Sequence, residues 1–279
     1  MNRLQAFGII AAQAERGELI FPSSVNAALK LQLALCDPDC HIEKAIKLVL
    51  AEPLLAARIV KLANSATVNP ANGAPITSVR AALMRVGYRS LHALACATVV
   101  RQFGSRIVDP ALRIKAEQLW QHTAHMAALA HVIARRVTFV DAETALFAAI
   151  VHEVGGFYLL SRADEFPGLL DQEPENWIEA GAELISRAVL KKLAIPALVS
   201  AAIESLRDAL LTIPPDSLLD TLLLAKQFSP VPSPLAQSNS AALDWSESVL
   251  DLVLDSDTLS SILAESEQEV RSMSAVLLL

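Results

Sequence analysis

Glycine is scarce in this sequence, nine residues in 279. Phosphate-cradling loops and the nucleophile elbow of many hydrolases both lean on clustered glycines, and none of GxGxxG, the Walker run or GxSxG occurs. Aromatics are few, at 5%, and apolar and polar residues alternate with period two for no more than about four residues at a time. That excludes a sheet protein. No charge-free apolar run reaches the roughly 18 residues that a membrane-spanning helix needs. The N-terminal MNRLQAFGIIAAQAERGEL reads as an amphipathic helix rather than a signal peptide, so a cytoplasmic location without membrane insertion is expected. The three cysteines, Cys36, Cys40 and Cys96, include the run Cys36-Asp-Pro-Asp-Cys40, but no second ligand pair at zinc-finger spacing. They read as reduced thiols. A basic stripe of the kind that follows a phosphate backbone is also missing, which excludes nucleic acid as a partner.

What is present is 53% apolar residues, dominated by alanine and leucine, enough for a substantial all-α core. The net charge of −7 sits in one place. Residues 241–279 hold eight acidic residues and one basic residue, Arg271, so residues 1–240 are balanced. Between them, residues 229–240 (SPVPSPLAQSNS) are rich in proline and serine and read as a linker. The expected organisation is a multi-helix bundle over 1–228 with an N-terminal helical subdomain, a linker over 229–240, and an acidic tail of two amphipathic helices over 241–279. That tail either packs back on the body or docks a partner.

Local signals place the helices. Residues 2–16 form one, ended by Gly17, and a second runs from Val25 to Cys36. A third covers Ile42 to Leu50. Asp109-Pro110 opens a long helix reaching about Arg136, and Asp141 caps the next. Helices are also expected over 175–193, over 197–211, and from Pro214-Pro215-Asp216 to Phe228.

The chain is organised around residues 52–103. Pro53 suits the first position of a helix that carries Leu55, Ile59 and Leu62 inward and stops at Asn64-Ser65. Asn64 is placed to tie up loop backbone groups. Thr77 or Ser78 caps a short second helix, Gly87 turns the chain, and a third helix follows. Helix, glycine turn, helix imitates a DNA-reading motif, but LHALACATVV offers only His92 and Thr98 as polar atoms, and a groove-reading helix has to be polar and exposed. This one is core.

EPLLAARIVKLANSA followed by ITSVRAALMRVG resembles the N-terminal half of HDOD domains, all-helical bacterial signalling modules related to the HD phosphohydrolases. The resemblance runs from about Pro22 to Arg207, and its structural motif residues here are Pro53, Asn64, Ser65, Thr77, Ser78 and Gly87. It implies an HD-like bundle. In the related hydrolases a His on one helix, a His-Asp pair on the next and a distant Asp bind divalent metal. The matching positions are His122, His152 and Glu153, so the Asp has become a Glu with a longer arm. Gly181-Ala182 stands where relatives carry an Asp-His pair, and Glu204-Ser205 where they carry a paired His. Asp208 is the nearest carboxylate for a distant ligand. His125 and His131, on the helix of His122, read as satisfied or solvent-facing side chains.

The resemblance and the depleted ligand set together imply a regulatory module that docks other signalling proteins, with no catalytic residue, no bound metal and no cofactor; self-association is open. The alternative is a metal-dependent phosphohydrolase of the phosphodiesterase type, working from His122, His152 and Glu153. A third reading is a helical pocket for a nucleotide second messenger.

Overall fold

The computed structural model describes residues 3–21, 29, 32–35, 37, 39–65, 68, 74–166, 169–170, 181–235, 261–262, 264 and 267–278. Among these residues there are helices and no strand. The elements are α1 (Arg3–Glu15), α2 (Ile42–Leu50), α3 (Pro53–Ala63), α4 (Val79–Phe103), α5 (Pro110–Ile133), α6 (Ala142–Val151), α7 (Val154–Ala163), α8 (Ala182–Lys192), α9 (Ala197–Ser205), α10 (Leu218–Gln227) and α11 (Glu267–Leu277). The expected helix over 25–36 lies mostly outside the described residues, as do the first of the two tail helices and Cys36.

The central stretch folds as its local chemistry dictates. Pro53 opens α3, and Asn64 closes it with its side chain turned outward to the loop. The Asn64 amide donates to the Val60 and Ile76 carbonyls, and its oxygen accepts from the Ile76 N–H at 2.8 Å. Ser78, not Thr77, caps α4 by accepting from the Ala81 N–H. Gly87 sits at φ 84°, a conformation that a side chain would strain, and bends α4 into two segments. The second segment is buried from Ala93 to Val100, so it cannot read a DNA groove.

Helix α5 is the hub, packed by α6, α7, α10 and α11. Alanines at 124, 127, 128 and 130, all inaccessible to solvent, let those neighbours approach on several sides. Trp120 on α5 is fully buried between the guanidinium groups of Arg58 and Arg101, 5.8 and 5.7 Å from its ring, with Phe157 against its edge. Arg58 is buried, with no carboxylate in hydrogen-bonding contact among the described residues. It donates to the Thr98 hydroxyl and the Leu277 carbonyl, each at 3.2 Å. Burial, helped by repulsion from Arg101, lowers its pKa to about 10, so it stays charged at neutral pH.

The Leu277 contact shows where the end of the tail goes. Helix α11 lies against α3 and α5. Arg58 and Lys61 hold carbonyls at its C-terminal end, and Arg135 and Arg136 hold Glu269 near its start, an arrangement that follows the helix dipole. Residues 267–277 therefore pack on the body. The run 142–163, α6 and α7 with the turn between them, is long and apolar enough to cross a membrane, and most of it is buried inside the bundle.

Three boundaries differ from the sequence reading. α8 begins at Ala182, after Gly181 at φ 97°; of the residues that reading placed before it, 175–180 lie outside the described set. α9 stops at Ser205 instead of Leu211, because the chain turns at 206–208 and brings Arg207 back to Glu183 on α8. α10 is capped by Ser217 with Asp220 in a reciprocal box, rather than started by Asp216.

The only adjacent glycines, Gly155 and Gly156, mark two close approaches on α7. A Cβ on Gly155 would lie 2.8 Å from Cα of Ser186, which is backbone of α8 and cannot swing aside. A Cβ on Gly156 would meet only the δ-methyl of Leu235, at 2.5 Å. Gly155→Ala is expected to lose about 1–3 kcal/mol of unfolding free energy by urea titration. Gly156→Ala is expected to stay within about 1 kcal/mol of wild type, since Leu235 can rotate and alanine favours the helix.

Candidate metal centre

The site forms where α5 crosses the break between α6 and α7. Asp141 starts α6 by accepting from the Thr144 N–H, and α6 ends at Val151. His152 and Glu153 occupy the turn before Val154 resumes the helix. That break points the two side chains toward His122, two residues after Trp120 on α5. The three predicted positions meet: one donor atom from each of His122, His152 and Glu153 lies within 4.8 Å of the others. The two rings are tilted by 55° with centroids 5.4 Å apart.

Both imidazoles have a fixed tautomer, because their Nδ1 atoms face main-chain carbonyls, which can only accept. His122 Nδ1 donates to the Val231 carbonyl at 2.6 Å, and His152 Nδ1 donates to the Ala149 carbonyl at 2.7 Å. In a neutral ring so tied, Nε2 carries the lone pair. The His122 Nε2 atom is buried and has no hydrogen-bond partner. Burial pushes the His152 pKa down to about 4; repulsion from His122 and Lys226 adds to this, and attraction by Glu153 and the bond to Ala149 oppose it without winning. His152 is neutral at pH 7.

A segment from the region read as a linker lies over this group. Val231 supplies the carbonyl that fixes His122. The Ser233 hydroxyl is shared between both Glu153 carboxylate oxygens, at 2.8 and 2.9 Å. Leu235 fills the space that Gly156 leaves open. Nothing in a Pro/Ser-rich composition announces these contacts; the neighbouring glycines were the available signal that something approaches closely.

Beside the group is a cleft of about 240 Å3, bordered by His152, Glu153, Gly155, Gly156, Ser186 and Arg207. Arg207 is held by Glu183, and Arg187, next to it, is held by Glu204 at 3.1 Å. Asp208 is turned away to Arg207 and is 78% exposed, so it is not a distant ligand here. His125 donates to the Gln121 carbonyl within its own helix. His131 is buried at the other end of α5, 3.6 Å from Glu143 and 3.9 Å from Glu269. Cys40 and Cys96 are buried and outside any disulfide among the described residues.

Two imidazoles whose Nδ1 atoms are tied to carbonyls and one carboxylate fit a single divalent cation of the class that takes nitrogen and carboxylate ligands. The partnerless Nε2 of His122 is the observation that makes the fit, since a buried acceptor without a donor is otherwise costly. Among the described residues no other group of three such side chains brings one ligand atom of each within that distance of the others.

The chain is similar along nearly its whole length to solved structures, at identities that speak to the fold alone. A protein from Shewanella amazonensis SB2B, provisionally named a metal-dependent phosphohydrolase, aligns with a TM-score of 0.70 at 20% identity, covering 99% of this chain and 100% of its own. An HDOD domain protein of unknown function from Geobacter sulfurreducens aligns at 0.62 and 19%, covering 99% and 98%. A protein from Marinobacter aquaeolei VT8, provisionally named in signal transduction, aligns at 0.60 and 17%, covering 99% of this chain and 66% of its own. No curated protein matches the chain. The model of the HDOD domain matches residues 21–191, more than half of the sequence, and with the helical bundle and the His122–His152–Glu153 crossing in place the chain belongs to the HDOD domain family.

Proposed function

We propose that this chain is a cytoplasmic, non-catalytic regulatory module that acts through contacts with other signalling proteins. The observation that carries this reading is that the chain itself occupies the site's polar atoms: the Val231 carbonyl and the Ser233 hydroxyl already engage His122 and Glu153. The cleft beside the group, about 240 Å3, shares His152, Glu183, Ser186 and Arg207 with a second of about 140 Å3 that Arg187 also borders. The arginines that border it already hold carboxylates, so a phosphoryl group would have to displace Glu183 or Glu204. The Shewanella relative's provisional name points to hydrolysis, and Gly181-Ala182 and Glu204-Ser205 leave this chain without two pairs that the family resemblance places there.

The partnerless His122 Nε2 favours a second element of the reading, a single divalent cation held by His122, His152 and Glu153. Closed metal sites are structural, whereas catalytic ones keep an open position. Such an ion would supply Lewis acidity and an acidified water to anything that reached it; the Nδ1 bonds to Val231 and Ala149 hold the two rings in place.

The full chain incubated with Mn2+ is expected to release no p-nitrophenolate from bis-p-nitrophenyl phosphate above the rate of His152→Gln; turnover that disappears in that variant would establish the hydrolase. The neutrality of His152 sets a pH response. In the unfolded chain a histidine takes up a proton below about pH 6.5, while the folded one resists until about 4, so its stabilising effect is complete above pH 6.5 and is lost as the pH falls from there to about 4. Between pH 7 and pH 5 the unfolding free energy of wild type should fall by about 2 kcal/mol more than that of His152→Gln, measured by urea denaturation.

A further inference from the structure

We infer that residues 229–235 are a positioning strap for the His122–His152–Glu153 donor set, so that strap docking and the binding of one divalent cation strengthen each other. The inference rests on the single-cation reading above.

The strap contacts the site at alternate residues, each with a different chemistry. The Val231 carbonyl takes the Nδ1 proton of His122, which leaves Nε2 as the donor atom facing the group. That carbonyl is itself steadied by the Ser229 hydroxyl at 3.0 Å. The Ser233 hydroxyl spans both oxygens of Glu153, and the Leu235 N–H donates back to that hydroxyl at 3.2 Å, so the O–H has its direction set from behind. Leu235 anchors the run against the bare backbone of Gly156. Prolines at 230, 232 and 234 separate the contacting residues and restrict the backbone between them.

Histidine ligands of metals ordinarily give their second N–H to a carbonyl or carboxylate, and ligand carboxylates are ordinarily hydrogen-bonded in turn; these outer partners are worth 10–100-fold in affinity. Here His152 has its outer partner, Ala149, inside its own helix turn. His122 and Glu153 have theirs on the strap, more than 75 residues further along the chain. Two of the three donors are therefore aimed only while the strap is docked. Linkage makes the effect mutual: by whatever factor the docked strap tightens cation binding, the cation favours the docked strap by the same factor. Because the strap joins α10 to the part of the chain that leads to α11, cation occupancy would set how firmly that connection is held on the body.

The test uses the full chain, with Mn2+ and Zn2+ as probes in isothermal titration calorimetry. Wild type is expected to bind one ion. Ser233→Ala should weaken binding by about tenfold and Ser233→Thr, which keeps the hydroxyl, by about threefold or less, while thermal melting of the two metal-free variants stays close to wild type. Hydrogen exchange at the four amides of 229–235 should slow on adding the ion to wild type and not on adding it to Glu153→Gln. Equal or tighter binding by Ser233→Ala, or exchange in the strap that the ion leaves unchanged, overturns the positioning role even though the ion binds. Failure of wild type to bind either ion overturns the single-cation reading and the strap inference together, and leaves the non-catalytic reading to be judged by the phosphodiester assay.

Discussion

Two imidazole N–H groups held by main-chain carbonyls constrain everything at the centre of this protein. Where α5 crosses the α6–α7 break, the rings of His122 and His152 are buried, and burial keeps His152 uncharged far below the pH at which a free histidine protonates. With the Nδ1 protons committed to Val231 and Ala149, Nε2 is the ring atom of each that is left to act as a ligand. Glu153, from the same turn as His152, brings the one carboxylate. The arrangement is that of a ligand set, and it is also the reason the turn between α6 and α7 has to stay where it is.

The bundle supports that crossing by close approach more than by bulk. Alanines on α5 and the glycine pair on α7 let helices come within reach of one another, and the large side chains are concentrated at Trp120, Phe157, Phe103 and Tyr158. Trp120 lies two residues before His122, packed between two guanidinium groups, and this fixes the rotation of α5 about its axis. One of those groups, Arg58, also reaches the last turn of α11. The packing that orients the first histidine is thus continuous with the packing that seats the end of the chain.

Both ends of the stretch after α10 return to the body. The strap settles on the histidines at one place, and α11 settles on α3 and α5 at another, with arginine, lysine and glutamate pairing in the sense of the helix dipole. The arginines beside the site are matched to carboxylates, Arg207 to Glu183 and Arg187 to Glu204.

Local chemistry in the sequence determined a good deal by itself. Pro53, the Asn64 amide tied to Ile76, the Gly87 bend and the caps at Ser78, Asp109 and Asp141 act over a few residues, and short-range geometry makes them legible. The alanine and leucine pattern gave an all-helical bundle for the same reason, since periodicity is a local property. The family resemblance named His122, His152 and Glu153. What only the tertiary structure decided was the company these three keep: Ser233 and Val231 on a stretch whose composition reads as a spacer, the partnering of Arg207 and Arg187, and the return of α11 to Arg58. A proline- and serine-rich segment has the same composition whether it hangs in water or lies across a buried carboxylate. The difference is set by which distant atoms are left needing a hydrogen bond once the helices have packed.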